Sequence, residues 1–353
     1  MKKNIIVFDT AADASGAYTV LKSFYDHAKT RTDINWIFVL GKVNFSECAN
    51  VKTINFEWTK KSWGHRLFFD LFVAPRLVKK YKPNLLISLE NMGFPTCNIR
   101  QSVFLHQPLF VTNCKIPIKK SPKLWFYKNV LSKWCHLSLK KASKIVVQTD
   151  WMKQSLADKI NRNKTLVEKI SPTVNSEGVE FTPIQTNFRR FFYPATPLFY
   201  KNHEIIFRAC KILNSDGIKN YEIVLTVPPD NKIAQRVSES SPNVKFIGSI
   251  PRKEVFELYA KSILLFPSFL ESFGYPLAEA RSIGSPIIAA DTPFSKEILE
   301  NYPNAYFFDY KSPEELAAIM KKTMENALKY TPDKKSETVT YSYWEQVVNA
   351  LTE

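Results

Sequence analysis

Short runs of β-branched and aromatic residues alternate with helical segments along most of the chain. This alternation is typical of parallel sheets covered by helices, because a crossover must return the chain to the start of each next strand. In the first half, the pattern predicts strands at residues 5–8, 36–40, 85–88, 103–105 and 144–147, and helices near residues 17–29, 67–80 and 123–139. In the second half, it predicts strands at residues 190–193, 221–227, 244–247, 263–266, 286–289 and 305–308.

The strand and helix pattern occurs twice, and 353 residues are more than one hydrophobic core usually organises. Residues 171–178 are polar and rich in breakers, so a domain boundary is expected between about residues 172 and 188. We therefore predict an α/β fold of two Rossmann-like parallel-sheet domains, residues 1–180 and 181–337, that face each other across a cleft. Residues 338–353 should form a last helix that carries Trp344 and packs back on the first domain.

Composition narrows the class of protein. No run approaches the roughly 18 apolar residues of a membrane-spanning helix, and the apolar start of the chain is too short for a signal peptide. The five cysteines are odd in number and scattered, which argues against a disulfide framework and against a zinc site. We therefore expect a cytoplasmic protein with reduced thiols.

The net charge of +16 lies in the first half of the chain. Residues 1–180 hold 29 Lys and Arg against 13 Asp and Glu, whereas residues 181–353 hold 20 against 20. No acidic residue occurs from residue 91 to residue 149, where nine lysines and Arg100 are interleaved with Trp125, Phe126, Tyr127 and Trp134. Such a stretch suits a surface that rests on anionic lipid headgroups, with aromatic rings at the interface.

Two other interpretations of the basic stretch remain open. The first is a solvated face, which is what runs of charge usually form. The second is a nucleic-acid surface, although the sequence has no nucleic-acid-binding motif. We expect an anionic membrane partner and no nucleic acid, with the protein peripheral on the inner face of the plasma membrane.

The most informative segment is residues 266–280, which predict a strand, a loop and a helix. Pro267 ends the strand, the loop contains Ser272, Phe273 and Gly274, and Pro276 suits a first helical turn. A helix that starts at the carboxyl end of a parallel strand directs its unpaired amides and positive dipole end toward the edge where such sheets bind ligands. The sequence therefore predicts a binding site for an anion such as a diphosphate.

Two glutamates flank this predicted anion site. Glu271 precedes the helix, and Glu279 lies one turn inside it. Because carboxylates repel phosphate, these side chains are better assigned to hydroxyl groups on either side of it, such as those of a sugar and a ribose. A pair of exposed helix glutamates is the alternative.

Glu271 and Glu279, with seven residues between them, resemble the Glu-x7-Glu motif of retaining GT-B glycosyltransferases of family-4 type. The local sequence Glu-Ser-Phe-Gly-Tyr-Pro-Leu-Ala-Glu-Ala matches the motif residue for residue, and the resemblance is looser in the N-terminal half. It implies a retaining, metal-independent enzyme of surface polysaccharide assembly. Such an enzyme would move a hexose-type sugar from a UDP- or GDP-sugar to a saccharide or a polyprenyl-diphosphate-linked acceptor.

The resemblance also assigns roles to residues. Glu271 would contact the transferred sugar, Lys201 would neutralise the leaving diphosphate, and His106 would face the donor sugar; these three are the predicted catalytic residues. The predicted donor-binding residues are Gly16, Lys201, Ser272, Phe273, Gly274, Tyr275 and Glu279, with Glu279 on the ribose. A surface lysine and a buried structural histidine are the ordinary alternatives for Lys201 and His106.

The chain departs from the family in two places. Relatives usually have an arginine about six residues before the phosphate lysine, where this chain has Ala195; Arg189 or Arg190 is a candidate replacement. The N-terminal loop offers one glycine, Gly16, where relatives often have two, and an ordinary turn glycine is the alternative. Glu90 and Asn91, at the end of a predicted strand, are candidates for the acceptor pocket.

The sequence has no Asp-x-Asp motif, the usual means of holding a metal ion on a nucleotide diphosphate, so neither a metal nor another cofactor is expected. Two other functions stay open: a sugar-nucleotide epimerase of GT-B fold, and a non-catalytic basic protein that binds lipid or nucleic acid. The epimerase does not explain the full Ser-Phe-Gly-Tyr-Pro context, and the binding protein leaves both glutamates without a role.

Overall fold

A computed structural model describes residues 2–13, 15–160, 165–174, 189–237, 241–325 and 342–353. The chain divides into two compact units, one made of Met1–Pro172 with Val339–Glu353 and the other of Thr173–Thr338. The domain boundaries expected between residues 180 and 181 and between residues 337 and 338 lie outside the described residues.

The first unit contains a seven-stranded parallel sheet. Its strands are β1 Lys3–Asp9, β2 Ile34–Leu40, β3 Val51–Asn55, β4 Leu85–Ser88, β5 Gln101–Phe104, β6 Lys144–Val147 and β7 Leu166–Lys169. Their order is β3-β2-β1-β4-β5-β6-β7. The sequence pattern does not predict β3 and β7, because these two edge strands are only partly buried and lack the continuous apolar run of the inner strands.

Six α-helices of residues 1–172 accompany the described part of this sheet. They are α1 Ser15–Ala28, α2 Trp63–Phe68, α3 Ala74–Tyr81, α4 Pro122–Phe126, α5 Ser132–Leu139 and α6 Asp150–Ala157. A π-helical segment, Phe69–Val73, joins α2 to α3, and another, Tyr127–Leu131, joins α4 to α5. The helix predicted over residues 67–80 therefore begins earlier, where the side chain of Ser62 accepts a hydrogen bond from the amide of His65.

The second unit contains a six-stranded parallel sheet in the order β10-β9-β8-β11-β12-β13. All six predicted strands are confirmed, as β8 Arg190–Tyr193, β9 Glu222–Leu225, β10 Val244–Phe246, β11 Ile263–Phe266, β12 Ile287–Ala290 and β13 Ala305–Phe308. Its helices are α7 His203–Ser215, α8 Lys232–Val237, α9 Arg252–Lys261, α10 Tyr275–Ser282, α11 Pro293–Ile298 and α12 Pro313–Met324.

In each sheet, the first three strands are added toward one edge and the later strands toward the other edge, so the strand order reverses at one point. This switch point lies between β1 and β4 in the first sheet and between β8 and β11 in the second. Open parallel sheets bind ligands at the carboxyl ends of the strands beside such a point. The predicted architecture of two Rossmann-like parallel-sheet units is thus confirmed, and each switch point is a place where a ligand site is expected.

The last helix, α13 Tyr343–Thr352, belongs to the first unit. Tyr343, Val347 and Leu351 are buried in the core that also contains residues of β1 and β2. Arg31 donates a hydrogen bond to the side-chain oxygen of Asn349 at 2.6 Å. Within the described ranges, no helix has both the length and the apolar character needed to cross a bilayer.

Candidate functional site

Lys201 and Glu271 meet at the switch point of the second sheet. Lys201 lies in the connection that follows β8, and Glu271 lies in the loop that follows β11. The Lys201 ammonium donates to Glu271 Oε1 at 2.5 Å, and Ser268 Oγ donates to the same oxygen at 2.6 Å. The lysine side chain is 16% exposed and the glutamate side chain 14%. Two predicted catalytic residues thus form one partly accessible ion pair at the edge where open parallel sheets bind ligands.

The two loops that carry this pair are bonded to each other. The carbonyl oxygen of Tyr200 accepts a hydrogen bond from the amide of Phe269 at 3.0 Å, and Ser268 Oγ lies 3.2 Å from the same oxygen. Burial, followed by the nearby Glu271 carboxylate, raises the pKa of the Tyr200 hydroxyl, so this phenol stays protonated at neutral pH. Ser268 therefore links the backbone beside Lys201 to the carboxylate of Glu271.

Asn202 fixes the backbone immediately after Lys201. It adopts a left-handed conformation with φ of 56°, which asparagine tolerates better than most residues do. Its side-chain amide donates to the carbonyl oxygen of Tyr310 at 2.9 Å, and Tyr193 donates its hydroxyl to the carbonyl of Lys201 at 3.0 Å. No sequence motif marks Asn202 or Tyr193 for these roles, because neither role follows from residue spacing.

Helix α10 begins directly after the Glu271 loop, and its proline lies in the first turn as predicted. Gly274 caps the helix in a left-handed conformation with φ of 96°, and an added Cβ would lie 3.3 Å from Leu277 Cδ1. Glycine is therefore favoured there on both backbone and steric grounds. Phe273 is buried, Tyr275 is 41% exposed, and their rings are 5.2 Å apart. Ser272 is half-buried in the same loop.

Glu279 faces two partners on α9. It accepts a hydrogen bond from Arg252 at 2.7 Å and another from the Tyr259 hydroxyl at 3.0 Å. The Glu279 side chain is 8% exposed, whereas Arg252 is 55% exposed. Burial, and then the charge of Glu279, raises the pKa of Tyr259 well above its usual range, so its hydroxyl remains a donor. No motif in the sequence marks Arg252 as a partner of Glu279.

The interpretation that Arg189 or Arg190 replaces the arginine missing at Ala195 is wrong. Arg190 Nε donates to Glu222 at 2.6 Å, and Arg189 donates to the carbonyl oxygen of Asn220 at 2.9 Å. Both lie at the amino end of β8, whereas Lys201 follows its carboxyl end. Within the described residues, the two motif glutamates have other basic partners: Lys201 contacts Glu271, and Arg252 contacts Glu279.

His106 follows β5 in the first unit. Its backbone amide donates to Asn91 Oδ1 at 2.7 Å, and its ring Nε2 lies 3.2 Å from the carbonyl oxygen of Leu89. The ring also stacks on Phe104, with centroids 5.3 Å apart. Burial lowers the pKa of His106 to about 4, so the imidazole is neutral at pH 7. Asn91 thus positions this histidine, and the role of His106 at a donor sugar stays a prediction.

Glu90 lies at the switch point of the first sheet and is fully engaged within its own unit. Its two carboxylate oxygens accept hydrogen bonds from Arg66 at 2.8 and 2.5 Å. The amides of Thr10 and Ala11 donate to it at 2.5 and 3.0 Å. Burial disfavours the charged form, but Arg66 outweighs this effect and the pKa of Glu90 is lowered. This geometry favours a structural role for Glu90 over the acceptor pocket.

Gly16 lies in the first turn of α1. A Cβ added to Gly16 would meet nothing within 4 Å, and no left-handed conformation requires glycine there. The neighbouring loop uses the amides of Thr10 and Ala11 to hold Glu90. Contact between Gly16 and a donor stays a prediction. No group of three His, Cys, Asp or Glu that could hold a metal ion occurs within the described residues.

Comparison with known proteins finds a family match in the second half of the chain. The family described as "Glycosyl transferases group 1" matches residues 176–339. Residues of this chain are also 33% identical over 96 residues to the serotype-specific mannosyltransferase WbdA of Escherichia coli. That match covers 27% of this chain and only 11% of the length of WbdA.

Solved structures extend the likeness to the whole fold. A sucrose-phosphate synthase from Thermosynechococcus elongatus superposes with a TM-score of 0.71 at 14% identity, covering 99% of this chain and 95% of its own. The lipopolysaccharide outer core galactosyltransferase WaaB gives a TM-score of 0.70 at 15% identity, with 99% of both chains covered. Anabaena HepE, solved with UDP and glucose, gives 0.65 at 15% identity over 99% of both chains. The chain therefore has the GT-B fold, as its resemblance implied.

Proposed function

Because residues 176–339 match the glycosyl transferases group 1 family, we propose that the chain is a retaining glycosyltransferase. It moves a hexose-type sugar from a UDP- or GDP-sugar to a saccharide or a lipid-linked saccharide. The observation that carries this proposal is the Lys201–Glu271 pair beside the amino end of α10, at the switch point of the second sheet. A sugar diphosphate requires a cation, a helix amino end and hydroxyl acceptors at one place, and this edge offers all three.

Lys201 and the amino end of α10 are proposed to hold the donor diphosphate. As the bond from the sugar to the diphosphate breaks, negative charge grows on the leaving group, and a fixed cation stabilises that charge more than it stabilises the ground state. With the lysine and the helix dipole in this role, the reaction needs no metal ion. Donor binding would divide the Lys201 ammonium between Glu271 and the phosphate oxygens.

The two glutamates are proposed to hold hydroxyl groups on either side of the diphosphate. Glu271 accepts bonds from Lys201 and Ser268 at one oxygen, Oε1, which leaves acceptor capacity for a sugar hydroxyl. Glu279 is oriented by Arg252 and Tyr259 and would accept from the ribose. The exposed Arg252 also supplies a second cation near the nucleotide, which offsets the missing arginine at Ala195.

Retention is proposed to follow from attack on the same face from which the diphosphate leaves. Glu271 is a poor nucleophile in this arrangement, because a lysine and a serine both donate to it. The departing phosphate would instead accept the proton of the incoming hydroxyl. We propose that this reaction takes place on the inner face of the plasma membrane, during surface polysaccharide assembly.

A donor panel tests the proposal. The purified chain is incubated with UDP- and GDP-hexoses in the presence of a chelator, and released nucleotide diphosphate is measured by chromatography. Slow hydrolysis of one donor is expected, with the α-configuration retained at C1 when an α-linked donor and an acceptor sugar are supplied. Conversion of the donor into a different sugar nucleotide would instead identify an epimerase. Activity that requires added metal would contradict the proposed role of Lys201.

A further inference from the structure

Six exposed apolar side chains lie on two helical segments of the first unit. They are Trp63, Leu67, Phe68, Phe72, Phe126 and Val130, and each is between 38% and 53% exposed. The Trp63 ring lies 5.8 Å from Phe126 and 5.9 Å from Tyr127, so the segments that begin at Trp63 and at Pro122 are in contact. We call these six residues the apolar surface.

The apolar surface is the outer face of helices whose inner face is already packed. In the first segment, Phe69, Ala74 and Leu77 are buried in the core that includes residues of β1 and β4. In the second, Cys135 and Leu139 are buried in the core that includes β5 and β6. The six outer side chains are therefore additional to what the fold needs, and contiguous exposed aromatic residues usually mark an interaction surface.

The charges around this surface indicate what it contacts. Lys115, Lys119, Lys123 and Lys133 are exposed on or near the second segment. None of these four has a carboxylate within 4 Å among the described residues, and the chain has no acidic residue from 91 to 149. Apolar and aromatic side chains surrounded by free ammonium groups are complementary to the headgroup region of an anionic bilayer.

We propose that the apolar surface inserts into the interface of an anionic lipid bilayer while these lysines pair with lipid phosphates. This inference names the surface through which the chain would contact the proposed membrane, and it does not rest on the reaction. A second copy of the chain fits less well, because a symmetric contact would bring like charges together. Nucleic acid would account for the lysines but leaves Leu67, Phe68 and Phe72 without a partner.

Vesicle binding tests the apolar part of the proposal. All seven tryptophans lie in the first unit, so their fluorescence follows its contact with vesicles of phosphatidylglycerol and phosphatidylethanolamine. The full chain should bind these vesicles and float with them, and it should bind phosphatidylcholine vesicles at least tenfold more weakly. The triple variant L67Q/F68S/F72S should bind anionic vesicles at least tenfold more weakly than the unaltered chain. Leu166→Gln changes a comparably exposed leucine, 57% exposed on β7, and should have no effect.

The lysines are tested in the same assay. The variant K119Q/K123Q/K133Q should bind anionic vesicles roughly fivefold more weakly for each lysine removed, since each basic residue near such a membrane contributes about that factor. Its control, K211Q/K219Q/K261Q, removes exposed lysines of the second unit and should bind normally.

Three results would overturn the proposal. They are equal vesicle binding by L67Q/F68S/F72S and Leu166→Gln, absence of binding by the full chain, and self-association in sedimentation that the triple variant abolishes. Thermal unfolding and donor hydrolysis by each variant show whether the fold and the site in the second unit are intact. Vesicle binding without any donor hydrolysis would reject the proposed reaction and leave the membrane surface standing.

Discussion

In each sheet, a glutamate with a basic partner follows the strand just beyond the switch point, yet the two pairs differ in what they leave available. At the switch point of the first sheet, the Glu90 side chain is 1% exposed and its oxygens are occupied by Arg66 and two backbone amides. At that of the second sheet, the Lys201 and Glu271 side chains keep 16% and 14% exposure.

The difference shows what distinguishes a structural ion pair from a binding site. The amides of Thr10 and Ala11, in the loop after β1, donate to the Glu90 carboxylate. Glu90 therefore occupies the place where these amides could otherwise bind an anionic ligand. In the second unit, the amino end of α10 begins at a glycine that has no side chain to cap it. An ion pair at a switch point therefore indicates ligand binding only where helix amides and acceptor oxygens remain available.

Removing the lysine of the second pair should have the largest effect. Lys201→Ala is expected to lower kcat/KM by about 10³ or more, because the charge on the leaving diphosphate loses its fixed cation. The melting temperature should stay within a few degrees, since Glu271 keeps its bond to Ser268. Lys211→Ala, an exposed lysine on α7, is the control and should be fully active. A Lys201→Ala enzyme with normal turnover would refute the phosphate role.

Breaking the first pair should instead cost stability. Arg66→Met leaves the buried Glu90 carboxylate without its cation, which is expected to lower the free energy of unfolding by about 3–5 kcal/mol. Urea unfolding followed by tryptophan fluorescence measures this, because all seven tryptophans belong to the first unit. The double variant R66M/E90M should recover part of the loss. An unchanged unfolding midpoint for Arg66→Met would show that the pair is dispensable.

The sequence predicted the inner strands and the Glu271–Glu279 segment because both depend on local information. A buried parallel strand needs a continuous apolar run, and a helix start needs a particular glycine and proline. Strands β3 and β7 escaped prediction because edge strands tolerate polar residues. Arg66 and Arg252 escaped it because each contacts its glutamate only after folding, 24 and 27 residues away along the chain.

Arg252 offers a smaller and more selective test of the second site. Arg252→Gln should raise KM for the donor about tenfold and leave kcat within a few-fold, because the exposed guanidinium acts on the nucleotide and not on the reacting bond. Tyr259 should continue to orient Glu279 in this variant. Arg208→Gln, on the exposed face of α7, is the matched control. A loss confined to kcat would place Arg252 closer to the chemistry than proposed.

The smallest expected effect concerns how the stability of the first unit depends on pH through the aspartates near Arg66 and Glu90. Burial, followed by the charge of Glu90, raises the pKa of Asp9 to about 8. Burial likewise raises the pKa of Asp70 to about 6. Between the pKa of an aspartate in the unfolded chain and its raised pKa in the folded protein, only the folded protein keeps the proton. The folded protein therefore becomes less stable as pH rises between those two pKa values. Above pH 6, Asp9 is the one of these two aspartates that still titrates.

Asp9→Asn should therefore flatten the fall in stability between pH 6 and 7.5, where the unaltered chain is expected to lose about 1 kcal/mol per pH unit. Asp70→Asn should alter the dependence only below about pH 6. Urea unfolding by tryptophan fluorescence at several pH values separates the two variants. If Asp9→Asn leaves the slope above pH 6 unchanged, Asp9 is ionised in the folded protein. Arg66 would then neutralise three carboxylates at this switch point.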